Sequence, residues 1–327
     1  MIQPASFPTT RLRRLRKTPA LRALVQEIHL RPDHLVLPLF IKENLQSKCP
    51  ILSMPGHFQL SLNDLKEEVD TLLTLGLKQV MLFGIPAHKD EVGSEAYASE
   101  GVIQSAIRQI KAQAPELLVM ADLCLCEYTN HGHCGILFNN SVDNDTTLPL
   151  LAKTAVSFAK AGADIIAPSG CIDGMVQWIR KALDEAGFPE LPILSYAVKY
   201  ASAFYGPFRQ AAEGAPKTGD RRGYQMNHAN VHEALYECAL DCAEGADMLM
   251  VKPAHTYLDI ICRIKEAFPH LPLAAYHTSG EFAMLKAASE KGWIDEPSAV
   301  LEVLTAIHRA GAQIIITYYA KEVLDWL

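Results

Sequence analysis

The chain has 327 residues, 49% of them hydrophobic, and a formal charge of −7. That is ample for one large core, and single α/β barrels run to about 250 residues or more. Mild acidity spread along the chain argues against nucleic-acid and membrane-surface partners, and no apolar run approaches the roughly 18 residues of a membrane span.

Near the amino terminus Arg11, Arg13, Arg14, Arg16 and Lys17 sit in a stretch without acids. Such a segment could pass for an organelle transit peptide. It is short, however, and runs on into a helix expected over 19–27 with Pro19 at its start. It therefore reads as a basic arm lying on the surface or on a neighbouring subunit. No aromatic residues interleave its charges, which speaks against a nucleic-acid-binding arm.

From residue 34 onward, short β-rich runs alternate with amphipathic stretches. Strands are expected over 34–40, 79–84, 117–122, 164–167, 193–196, 247–251, 273–276 and 313–317, with helices such as 62–75, 148–161, 175–186, 231–243 and 297–310 between them. Gly76, Gly162, Gly187, Gly245 and Gly311 stand where helices return to strands, a left-handed position that ends a helix cheaply. Eight such alternations predict an α/β fold, a parallel (β/α)8 TIM barrel over 31–327 with an extended N-terminal arm over 1–30. The competing open doubly wound sheet would need a Gly-rich dinucleotide turn after its first strand, and the sequence has none there.

Polar residues gather at the expected strand ends: Asp122 and Cys124 after the third strand, Ser169 after the fourth, Lys199 beyond the fifth and Lys252 at the end of the sixth. Ser279 follows the seventh and Tyr318 ends the eighth. In a barrel these ends share one mouth, where such folds place their chemistry. A single lysine there could simply reach for water. Two at neighbouring strand ends suggest imine formation with a ketone, because burial and a second cation both favour the neutral, nucleophilic amine.

Cys124, Cys126 and Cys134 form C-x-C-x7-C with His131 and His133 inside it. In a chain this long, without an apolar signal segment, that spacing suggests a metal rather than a disulfide framework. Three thiolates would leave zinc an open catalytic position; a histidine as fourth ligand would make the site structural. Cys238 and Cys242 fall at helical spacing with Val231 and Leu235 and read as core residues, while Cys49, Cys171 and Cys262 have no companions at ligand spacing. Residues 200–225 are rich in Gly, Pro and charge and read as a lid, on which Arg209 and Arg221 could clamp a carboxylate.

Five long motifs together resemble the porphobilinogen synthase (5-aminolevulinate dehydratase) family: D-x-C-x-C-x-Y-T-x-H-G-H-C-G over 122–135, Y-A-x-K-Y-A-S-x-F-Y-G-P-F-R over 196–209, G-D-R-R-x-Y-Q-M-N over 219–227, G-A-D-M-L-M-V-K-P-A over 245–254 and I-I-I-T-Y-Y over 314–319. The resemblance covers nearly the whole chain. It implies a cytoplasmic, zinc-type, bacterial enzyme that condenses two molecules of 5-aminolevulinate into porphobilinogen with loss of two waters, in tetrapyrrole (heme) biosynthesis. Lys252 would bind the first substrate, with Ser279 and Tyr318 on its carboxylate. Lys199 would bind the second, with Arg209 and Arg221 on its carboxylate and Tyr205 and Gln225 as further substrate-binding residues. Zn2+ on Cys124, Cys126 and Cys134 would polarise the second substrate, while Asp122 and Ser169 would hold amino groups or shuttle protons.

The resemblance further implies a homo-octamer whose arms wrap neighbouring subunits, and an activating Mg2+ at Glu237. A plain solvated glutamate is the alternative for Glu237, which lies off the apolar face of its helix. His228 stands where the family pattern has a proline. A class I aldolase would need neither the second lysine nor the thiolates, and a zinc-stabilised assembly subunit would close its zinc with a fourth ligand.

Overall fold

The structure is a computed structural model and describes residues 6–327, so the first five positions of the expected arm lie outside the described residues. Eight parallel strands form the barrel: β1 (Leu35–Lys42), β2 (Gln79–Ile85), β3 (Leu118–Leu123), β4 (Ile165–Pro168), β5 (Leu194–Lys199), β6 (Met248–Lys252), β7 (Leu273–His277) and β8 (Ile314–Thr317). Their order in the sheet runs β4-β3-β2-β1-β8-β7-β6-β5. A parallel bridge between Ile166 and Ile193 joins the two ends of that path and closes the ring.

Eleven α-helices accompany them among the described residues: α1 (Pro19–Leu24), α2 (Leu62–Leu75), α3 (Val102–Gln113), α4 (Asn144–Ala161), α5 (Met175–Glu185), α6 (Gly206–Ala211), α7 (His232–Glu244), α8 (Leu258–Ala267), α9 (Ser279–Glu290), α10 (Glu296–Ala310) and α11 (Ala320–Leu324). The strands bury almost every residue on both faces, as a parallel sheet covered by helices must. Helix α2 shows how local chemistry sets a boundary. Ser61 caps it by accepting from Asp64 N at 3.1 Å, and Asp64 Oδ2 in turn accepts from Ser61 N at 3.0 Å. Such a cap contributes about 1 kcal/mol. Gly76 ends the helix at φ +79°.

Most sequence-based boundaries shift by one or two residues, and four differences are larger or bear on the site. Helix α4 begins at Asn144 rather than 148, because Asp143 caps it by accepting from Thr146 N at 3.0 Å. Helix α1 stops at Leu24 with none of its side chains buried, so no packing carries it on to residue 27. Lys199 is the last residue of β5 rather than a residue beyond it, and the expected loop over 200–225 contains α6. The arm before the barrel leaves Phe7, Leu12, Leu15 and Leu24 exposed. No helix among the described residues is long and apolar enough to cross a membrane.

Candidate active site

Lys199 and Lys252 are register partners on adjacent parallel strands, so their backbones stand about 4.8 Å apart at the carboxyl end of the barrel. Both are buried, at 6% and 5% exposure. Four aromatic rings surround the Lys252 ammonium: Tyr276 at 3.9 Å from its centroid, Phe208 at 5.0 Å, Tyr196 at 5.2 Å and Tyr205 at 5.4 Å. Burial, and then the positive charge of Lys199, lower the Lys252 pKa to about 7. Lys199 goes the other way. Burial pulls it down, but the negative field of Cys171, Cys134, Cys124 and Cys126 outweighs burial and holds it above its ordinary value. Its Nζ donates to the backbone oxygen of Ser169.

Ser169 Oγ donates to Asp122 Oδ2 at 3.1 Å, inside the same cavity. Asp122 lies within β3, one residue before the strand ends, and burial raises its pKa against the pull of Lys199 and Lys252. Its Oδ1 is buried without a partner. The same is true of Arg209 Nε, Arg221 Nε and both amide atoms of Gln225. Native interiors leave few such atoms unpaired, so a cluster at one mouth is a candidate place for a polar ligand or water to complete the bonding.

Residues 206–225 cover that mouth. Arg221 donates through Nη2 to the backbone oxygens of Gly132, at 2.9 Å, and Gly214. Gly132, at φ +74°, is required there, because a Cβ would strike the backbone oxygen of Ala215 on the lid. Tyr205 Oη donates to the backbone oxygens of Tyr200 at 2.7 Å and Lys252 at 3.2 Å, leaving its ring to line the cavity. On the opposite wall Tyr318 Oη lies 3.1 Å from Tyr276 Oη, and Ser279 Oγ accepts from Phe208 N at 2.9 Å. Ser279 thus also ties the lid to the first turn of α9.

The three cysteine sulfurs lie within 4.8 Å of one another and are buried. Hydrogen bonds with Cys126 and Cys134, then burial, push the Cys124 thiol up, while bonds from Cys124 and Cys126 hold Cys134 down. The cluster can thus carry negative charge, and a cation is what would let all three ionise together. Neither histidine is free to be a fourth ligand. His133 uses Nδ1 on Tyr224 Oη at 3.1 Å and Nε2 on the Thr218 oxygen at 2.8 Å. His131 uses Nε2 on the Glu91 oxygen at 3.2 Å, and its Nδ1 accepts from His133 N at 3.1 Å. The donor set fits zinc with an open position.

Glu237 stands apart on α7. Burial, then Asp173, Glu233 and Glu244, raise its pKa. Among the described residues the three cysteines are the one group of three or more metal-ligating side chains in mutual reach. Cys238 is in the core and Cys242 at its edge. Sequence reasoning missed the ring of Tyr196, Phe208 and Tyr276, whose signal was an aromatic residue near the end of a barrel strand or on the lid. It also missed Glu127, buried beside Cys126 in the wall of the cavity.

The family model for delta-aminolevulinic acid dehydratase matches residues 9–326. The chain belongs to the delta-aminolevulinic acid dehydratase family. It is 54% identical to the dehydratase of Archaeoglobus fulgidus over 99% of both chains, and 53% identical to that of Bacillus subtilis over 97% of this chain and 98% of that one. Among solved structures, the Toxoplasma gondii dehydratase (porphobilinogen synthase), in complex with the reaction product porphobilinogen, superposes with a TM-score of 0.95 at 44% identity, covering 99% of this chain and 92% of that one. Membership at this identity and coverage makes the chain an enzyme of the dehydratase family, a porphobilinogen synthase on a TIM barrel.

Proposed function

We propose that the chain condenses two molecules of 5-aminolevulinate into porphobilinogen through imines at Lys252 and Lys199, as a zinc-type member of its family serving tetrapyrrole (heme) synthesis. The observation that carries this reading is the cross-strand lysine pair, one member of which is held near neutrality by burial and by the other. At pH 7 a substantial share of Lys252 is then the free amine that attacks a ketone. Imine formation expels one water at each lysine. The new carbon–carbon bond and the pyrrole nitrogen later take the places of the two lysine nitrogens, so the loss closes at two waters and both amines are regenerated.

Asp122, whose pKa burial raises against the pull of Lys199 and Lys252, is placed to pass a proton beside both lysines, and Ser169 holds its carboxyl in place. Arg209, Arg221 and Gln225 offer unpaired donors to the carboxylate of the second substrate. Tyr318 and Ser279 offer hydroxyls on the side of the first. Zinc held by Cys124, Cys126 and Cys134 would supply a Lewis acid and offset the charge of those three sulfurs, which act after Cys171 in raising the Lys199 pKa.

We extend the proposal to a cytoplasmic homo-octamer whose exposed arm covers a neighbouring subunit, and to magnesium at Glu237, where a cation would relieve the crowding of acids. The chemistry is tested by borohydride reduction in the presence of 5-aminolevulinate, followed by peptide mapping. Adducts are expected on Lys252 and Lys199. Label confined to lysines away from the cavity, such as Lys66 or Lys111, would overturn the assignment.

A further inference from the structure

Four segments from outside the lid meet its residues 211–214. Gln59, buried on the short strand Phe58–Leu60 beside β1, donates through Nε2 to the Ala211 oxygen at 2.8 Å and to Glu213 Oε1 at 3.1 Å. Lys42, the last residue of β1, makes an ion pair with the same carboxylate oxygen. Lys89, beyond β2, donates to the Glu213 backbone oxygen at 2.8 Å. The chain then turns at once toward the two arginines: Gly214 N donates to the Arg209 oxygen at 3.3 Å, and the Gly214 oxygen accepts from Arg221 Nη2. On its other side Gly214 packs against the metal loop, where an added Cβ would lie 3.2 Å from the Cys126 oxygen.

Glu213 holds this corner at φ +51°, a left-handed conformation disfavoured for a residue with a side chain. Nothing local asks for glutamate there. Its backbone turn closes α6, with Glu213 N donating to the Gln210 oxygen and Gly214 N to the Arg209 oxygen, both at 3.3 Å, while its side chain and carbonyl are held by the three long-range partners. We infer that Glu213 is a positioning residue for the second-substrate carboxylate site: clasped by Lys42, Gln59 and Lys89, it fixes the peptide that braces Arg209 and Arg221. The inference rests on the proposed two-substrate chemistry, and it adds a residue that touches neither substrate nor metal.

An isolated exposed ion pair would contribute little. Here the carboxylate takes a charged and a neutral donor at once and sets the geometry of two guanidinium groups, so the effect should be read in substrate affinity rather than in the chemical step. In the zinc-loaded enzyme, Glu213→Gln is expected to raise KM for 5-aminolevulinate about fivefold with kcat within about twofold, and to leave borohydride trapping at Lys252 unchanged. Lys42→Met should do the same, and the double variant should be no worse than either single one, because both remove one contact. A Glu213→Gly variant, which relaxes the backbone but drops the clasp, should also raise KM. An unchanged KM in Glu213→Gln, a fall in kcat at constant KM, or additive losses in the double variant would each overturn the clasp. Failure of the wild-type enzyme to form lysine adducts would instead strike the two-substrate chemistry itself.

Discussion

Lys252 lies 3.9 Å from the Tyr276 ring centroid, and its neighbourhood sets both its reactivity and its effect on stability. Its pKa is 10.5 in an exposed chain and about 7 in the fold. The unfolded chain therefore binds this proton more tightly, so the folding penalty is full below about pH 7, shrinks as pH rises and vanishes above the unfolded value. At neutrality it amounts to roughly 4 kcal/mol. Lys252→Met should thus abolish turnover and raise the Tm at pH 7, with a much smaller gain at pH 10. Equal Tm gains at both pH values would show that the amine is not depressed. In the wild-type enzyme, the rate of adduct formation at Lys252 should climb through about pH 7 and then level off, since only the neutral amine attacks.

The cysteine loop following β3 and the lid following β5 are the elements that turn a barrel into a candidate site. Three sulfurs from one loop, with both intervening histidines bonded elsewhere, would hold zinc for chemistry more than for folding. Chelation should accordingly abolish turnover with little change in far-UV circular dichroism, and zinc with a thiol reductant should restore it. A collapse of the helical signal on chelation would mean that the loop supports the barrel. Oxidation of Cys124, Cys126 or Cys134 should mimic chelation.

Much of this was legible in the sequence. Hydrophobic periodicity marked all eight barrel strands, and the crowding of Cys124, Cys126 and Cys134 in one loop pointed to the cluster their sulfurs form, because both signals are local. The bonds of His131 to the Glu91 oxygen and of His133 to the Thr218 oxygen were not legible, since only the tertiary assembly of the strand-end loops brings those partners near. The same holds for Lys42 and Glu213, 171 positions apart.

Across the whole molecule, barrel closure brings to one mouth the two groups of residues proposed to hold the substrate carboxylates. Tyr318 and Ser279 follow β8 and β7, Tyr318 meeting Tyr276, whose ring lies against Lys252, whereas Arg209 and Arg221 belong to the lid that follows Lys199. A guanidinium holds a carboxylate through charge-assisted bonds worth about 1.5–3 kcal/mol each, while a hydroxyl gives a single bond to the anion. Arg221→Ala should therefore weaken binding of the second substrate by roughly ten- to a hundredfold, with trapping of one 5-aminolevulinate at Lys252 intact. Tyr318→Phe should lower that first trapping instead, because it removes the hydroxyl beside Tyr276 without touching the lid. Ser279→Ala should do some of both, since its oxygen also accepts from Phe208 N on the lid. The measurement is the yield of reduced Lys252 and Lys199 adducts per subunit in each variant. Loss of the Lys252 adduct in Arg221→Ala, with a normal yield in Tyr318→Phe, would mean that the first substrate's carboxylate lies under the lid and the second's lies against β7 and β8.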